Sequence, residues 1–126
     1  MKLTTKIVLA LFSTALMCAT IARLTTYYAL TYLTGFYESI PNTAQSFVEY
    51  GIIPAMLMSL TTVIVLSIIP TLSYFGLSKL FTLKLPKYSL QINKVVAVSC
   101  IVSLLSFVTF FGADATNNLI LIAGAN

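Results

Sequence analysis

The chain has no histidine, a single aspartate, two glutamates and two cysteines in 126 residues. Without histidine, and with one aspartate, the usual metal clusters, histidine-based triads and paired carboxylates are out of reach. Tyrosine, serine and threonine are plentiful, but none has a base placed beside it, so no enzyme is expected and no cofactor is called for. Charged residues make up 8% of the chain, against roughly a quarter in an ordinary soluble domain. Seven basic and three acidic groups cannot cover the surface of a 13.7 kDa globule. The pI of about 9.2 rests on few charges, and most of these are explained by threading, so nucleic-acid binding has no support.

What is present is apolar. Hydrophobic residues account for 59% of the sequence, and the mean hydropathy is +0.99. Three apolar stretches, at about 7–33, 51–77 and 95–122, each exceed the roughly 20 residues needed to cross a hydrocarbon core of about 30 Å. They do not alternate as barrel strands would, and an open-ended crossing of lipid requires helices. The expectation is an all-α integral membrane protein, one membrane domain over 1–126, with three transmembrane helices.

Lysine placement orients it. Lys2 and Lys6 precede the first stretch, and Lys79, Lys84, Lys87 and Lys94 lie in the loop 78–94. The loop 34–50 carries Glu38 and Glu49 and no basic residue. Short basic loops remain cytoplasmic, which predicts the N-terminus and the 78–94 loop inside, and the 34–50 loop and C-terminus outside. Tyr27, Tyr28, Tyr32, Phe36, Tyr37, Phe47 and Tyr50 cluster at the expected outer boundary, and Tyr74, Phe75, Phe81 and Tyr88 at the inner one, where the tyrosines' amphipathic rings settle at headgroup level. The N-terminal stretch is expected to be an uncleaved signal anchor, because no small-residue cleavage site follows it. Cys18 and Cys100 read as small buried hydrophobes at different depths, with no disulfide between them.

Polar residues inside the stretches are the candidates for function. Arg23 and Asp114 follow the starts of the first and third stretches at 7 and 95 by sixteen and nineteen residues, in helices that run the same way, and both lie close to the outer boundary. At about 1.5 Å per residue they share a depth to within about one turn. An ion pair or shared network is expected there, with snorkelling of Arg23 to the headgroups as the simpler alternative. Asp114, Asn117 and Asn118 lie on one face at i, i+3 and i+4. Thr26 stands in the same relation to Arg23. The expected polar cluster is therefore Arg23, Thr26, Asp114, Asn117 and Asn118. Pro70 is expected to kink the second helix by freeing the carbonyl of Leu66, with Ser67 or Thr71 in position to relieve it. Ser99, Ser103 and Ser106 form a narrow stripe expected to pack against another helix.

The segments Thr26-Tyr27-Tyr28, Gly35-Phe36-Tyr37-Glu38-Ser39-Ile40-Pro41-Asn42 and Gly51, with the late Asn117 and Asn118, resemble an uncharacterised family of small prokaryotic membrane proteins with three to four helices. The chain has Pro41-Asn42 where that pattern has Asn-Pro, and Arg23 near an expected Asp. The resemblance implies a prokaryotic plasma-membrane location, and it makes Glu38 a loop residue that caps a helix or touches another subunit.

Two functions follow as expectations. One is a small non-catalytic accessory or structural subunit of a larger integral membrane complex, of respiratory or membrane-oxidase type, docking onto other integral membrane subunits and lipids through its helices. The other is a homo-oligomeric transporter or channel that uses the polar cluster near the outer face, with Pro70 as its hinge.

Overall fold

The computed structural model describes residues 2–33, 35–36 and 41–125, the side chains of 41–43 and 125 excepted. It is all-α, and no strand occurs among the described residues. Helix α1 spans Leu3–Tyr32, α2 Pro41–Tyr50, α3 Ile52–Lys84 and α4 Ser89–Ala125. Helices α1, α3 and α4 are long and apolar enough to cross a membrane.

The helices outrun the apolar stretches that announce them. The second and third continue to Lys84 and back to Ser89, so the 78–94 loop shrinks to the turn at 85–88. Hydropathy marks where lipid ends, whereas a helix ends where its backbone hydrogen bonding is broken. Lysine is a good helix former, and Lys79 and Lys84 carry α3 past the apolar run. Pro86 stops it, since the residue before a proline is driven out of the α region, and Leu85 sits at φ −134°, ψ 61°. The 34–50 loop likewise contains the short helix α2. Gly51 joins α2 to α3 with φ +86°, a left-handed geometry that other residues adopt only at a cost. Its amide donates to the carbonyl of Phe47 (3.1 Å) and its carbonyl accepts from Ala55 (3.2 Å), so both helices stay satisfied through the corner. Pro54 falls in the first turn of α3, where a missing N–H is harmless. At the other end α4 continues through Asp114 to Ala125.

Helices α1 and α4 run parallel, and α3 runs antiparallel to both. The most extensive contact is α1 on α4. Along α1 the residues Val8, Ala15, Ala19, Ala22 and Ala29 are buried, and Phe12 and Thr26 complete a line with alternating spacings of three and four. Such a line is a seam along one helix face. Its small residues let the α4 backbone come close, which is how helices associate in lipid. A Cβ placed on Gly112 of α4 would lie 3.8 Å from Cys18 Sγ. Two apolar clusters fill the centre: Val8 with Tyr74, Cys100 and Leu104, and Ala19 with Val63 and Phe111. Tyr74 is therefore a core residue and not a headgroup anchor, and its hydroxyl is satisfied by Thr5 Oγ1 at 3.2 Å. Both cysteines are free thiols.

Helix α3 passes unbroken through Pro70. Thr71 Oγ1 donates to the carbonyl of Ser67 at 3.0 Å. The expected relief of Leu66 is thus directed one residue along, because a hydroxyl in a helix reaches the carbonyl four residues back. Ser67 Oγ is itself buried without a partner.

Candidate functional site

The polar residues of α1 and α4 meet near the α1 C-terminus. Thr25 Oγ1 donates to the carbonyls of Ile21 (2.8 Å) and Ala22 (3.0 Å), and Thr26 Oγ1 donates to that of Ala22 (2.9 Å). Helical threonines bond back in this way to the carbonyl three or four residues earlier. Their lone pairs then face α4. Asn118 Nδ2 reaches across and donates to Ala22 O (3.2 Å), Thr25 Oγ1 (3.2 Å) and Thr26 Oγ1 (3.0 Å). An amide NH2 carries two hydrogens, so the three acceptors share them. This is the one side-chain network between α1 and α4 among the described residues, and it closes the seam at its polar end.

Of the expected polar residues the structure brings Thr26 and Asn118 together, and it adds Thr25, which the periodicity did not single out and whose hydroxyl completes the network. The alanine line at three- and four-residue spacing was the available signal for which side of α1 meets α4. Asn117 is exposed and points away from the seam, and Asp114 is half-buried.

Arg23 stands apart from this network. It follows Ala22 by one residue, and hence is turned about 100° round the helix from the α4-facing line. It lies instead against α3, in a groove lined by Thr20, Leu24 and Tyr27 of α1 and by Ile53, Met56, Leu57 and Leu60 of α3. The ion pair with Asp114 expected from their common depth is not formed, and among the described residues no ion pair or hydrogen bond reaches Arg23. Depth is fixed by counting residues, but azimuth depends on which neighbour packs where. Arg23 is 8% exposed, and its Nε is buried without a partner. An unpaired polar atom shielded from water costs about 1–3 kcal/mol, and more for a charged group.

Ser99 and Ser103 line a second groove, with Ile69, Pro70, Ser73 and Tyr74, between α3 and α4. Ser106 is outside it and exposed, so the serine stripe is divided between a helix contact and the outer surface. The hydroxyls of Ser103 and Ser106 are satisfied within their own helix, by the carbonyls of Ser99 and Val102 at 2.9 Å each. Glu38 lies outside the described residues. Glu49 accepts a 2.7 Å bond from Gln45 Nε2 along α2. No group of three or more metal-ligating side chains occurs among the residues described.

Comparisons of the chain with protein-family models, with curated proteins and with solved structures gave no match.

Proposed function

We propose that this protein is a small non-catalytic subunit of a larger integral membrane complex, of respiratory or membrane-oxidase type, that docks on its partners through its helices. We place it in a prokaryotic plasma membrane, with the lysine-rich end in the cytoplasm and the C-terminus outside. The carrying observation is how the intramembrane polar groups are used. Asn118, Thr25 and Thr26 are spent on holding α1 to α4, and the grooves between helices are predominantly apolar and lie on the flank of the bundle. Such a unit packs; it does not conduct. Only 28%, 22% and 17% of the most apolar stretches of α1, α3 and α4 are buried, which leaves broad faces for other subunits or lipid.

The orientation draws on charge. With α1 and α4 parallel and α3 reversed, Lys2, Lys6, Lys79, Lys84, Lys87 and Lys94 all fall at one end, the pattern of a cytoplasmic face. The test is isolation in mild detergent through a C-terminal tag. The expected result is a fixed-stoichiometry assembly with a much larger integral membrane subunit. A homogeneous homo-oligomer that carries ions across vesicles would favour the transporter instead and overturn the proposal. A tag after Asn126 that is shielded from a reagent confined to the cell exterior would overturn the orientation.

A further inference from the structure

The lysines gather at one end of the bundle, and no acidic side chain of the sequence reaches them. Glu49 stands on α2 next to the corner where α3 begins, and Asp114 is one turn from the Asn118 that meets Thr26. Both belong to the opposite end. Glu38, outside the described residues, follows Tyr32 closely in sequence, on a tether of at most about 22 Å. Helix α1 alone extends about 39 Å from Tyr32 back to Lys6. Any acidic partner at the lysine end therefore comes from outside this sequence.

Four of the lysines are on a hairpin that stands clear of the bilayer. Val8, Tyr74 and Cys100 share one layer, and the Tyr74 hydroxyl meets Thr5 Oγ1, so Lys6 marks the same level and the edge of the hydrocarbon. From there α3 continues to Lys84, and α4 starts back from Ser89; each leg is about 15 Å long. Across the legs Asn93 Nδ2 donates to Thr82 Oγ1 at 3.3 Å, and in the turn Ser89 Oγ donates to the carbonyl of Pro86 at 3.0 Å. Headgroups occupy about 5–8 Å on each side of the hydrocarbon core. The tip thus lies about 7–10 Å beyond them, about one Debye length at physiological salt.

Threading accounts for the lysines but not for the leucines among them. Lys79 with Leu83, Leu80 with Lys84, and Leu90 with Lys94 are i, i+4 pairs, adjacent on a helix surface, and all six side chains are exposed. Leu83 and Leu90, near the tip, are 71% and 70% exposed. A leg surrounded by water alone would be polar on this side. Acyl chains do not reach leucines at this height, and salt screens the tip from the leaflet's charge. Leucines flanked by cations are complementary to a segment whose apolar residues are flanked by carboxylates.

We propose that the hairpin tip docks on an acidic, amphipathic segment of a partner protein. The proposal rests on the accessory-subunit function and names the chemistry of one of its contacts.

The test is photocrosslinking in the intact cell, with benzoylphenylalanine in place of Leu83 in the full chain. The expected result is a discrete protein adduct whose crosslinked peptide, mapped by mass spectrometry, has Asp and Glu in excess among apolar residues. Lys84→Gln with Lys87→Gln leaves Lys79 and Lys94 to hold the threading, and should lower the adduct on the order of five-fold through the loss of two exposed ion pairs. Lys84→Arg with Lys87→Arg should keep it. Should the double glutamine variant fail to accumulate, Lys84→Gln alone makes the comparison, with a fall of about two-fold. Adducts with phospholipid only, with a second copy of this chain, or with a segment lacking acidic excess each overturn the proposal. So does the absence of any adduct, or an acidic adduct that is undiminished by neutralising the lysines. A chain that co-isolates with a large membrane subunit yet gives no acidic adduct at position 83 loses this proposal alone; one that gives the adduct but isolates as a conducting homo-oligomer loses the accessory-subunit function.

Discussion

Replacing Asn118 by alanine removes the donor that ties α4 to three acceptors on α1, at 3.0–3.2 Å. Two hydrogens are available, so two bonds' worth of energy is at stake. Interhelical hydrogen bonds in membranes average about 0.6 kcal/mol, with a maximum near 1.7. Asn118→Ala should therefore destabilise the bundle by about 1–2 kcal/mol. The threonines bond back to their own helix in any case, so the variant strands no donor, and the loss should not exceed this range. The assay is reversible unfolding in bicelles or mixed micelles, with Asn117→Ala as the control. Asn117 is exposed on the same turn and should change stability by less than about 0.5 kcal/mol. A cycle of Asn118→Ala with Thr26→Val isolates the 3.0 Å bond, and its coupling should be about 0.6 kcal/mol. It should not approach the whole effect, because Thr25 and the Ala22 carbonyl still accept. If Asn118→Ala is no worse than Asn117→Ala, or if the cycle shows no coupling, the network does not hold the seam.

Ala19 is fully buried against Val63 and Phe111, so Ala19→Leu should force the helices apart and cost about 1–3 kcal/mol in the same unfolding assay. Gly51→Ala meets nothing closer than Pro54 Cδ at 3.8 Å. Its cost of about 1–3 kcal/mol should come from the backbone alone, because φ +86° with ψ 164° lies in a region essentially confined to glycine, and Gly51→Asn should recover none of it. In a zwitterionic detergent free of anionic lipid, Arg23→Met should raise stability by about 1–3 kcal/mol, because it removes an unpaired cation from a low-dielectric groove; a fall in unfolding midpoint there would show that Arg23 is satisfied within the chain.

Hydropathy located the three crossings because lipid selects strongly for long runs without charge, and no packing detail alters that. The ends were harder to see. Lys79 and Lys84 look like loop residues by polarity, yet they extend α3 by further turns, and only the Leu85-Pro86 pair halts it. Within the spans, counting residues gives depth: it puts Thr26 and Asn118 near one level, and the structure joins them by a 3.0 Å bond. Counting does not give rotation. Arg23 and Ala22 are neighbours in sequence but face different helices, and the difference decides that Asn118 finds a partner on α1 while Arg23 finds none. The information was present in the alanine spacing of α1, which identifies the close-packed side. It passes unnoticed beside leucine and isoleucine because a membrane helix buries its smallest residues and turns its largest ones outward.

The seam between α1 and α4 unites stretches made at different times. Ala22 and Asn118 are 96 positions apart, an interval of about 5–20 s at ordinary rates of synthesis. During that delay the alanine face of α1 waits in the bilayer without its mate, and the threonine hydroxyls above it stay unclaimed from outside. Whatever else is inserting nearby has the opportunity to sit there first, so the timing of translation, as much as the energy of the finished bundle, governs whether α1 is joined by its own α4 or by a stranger.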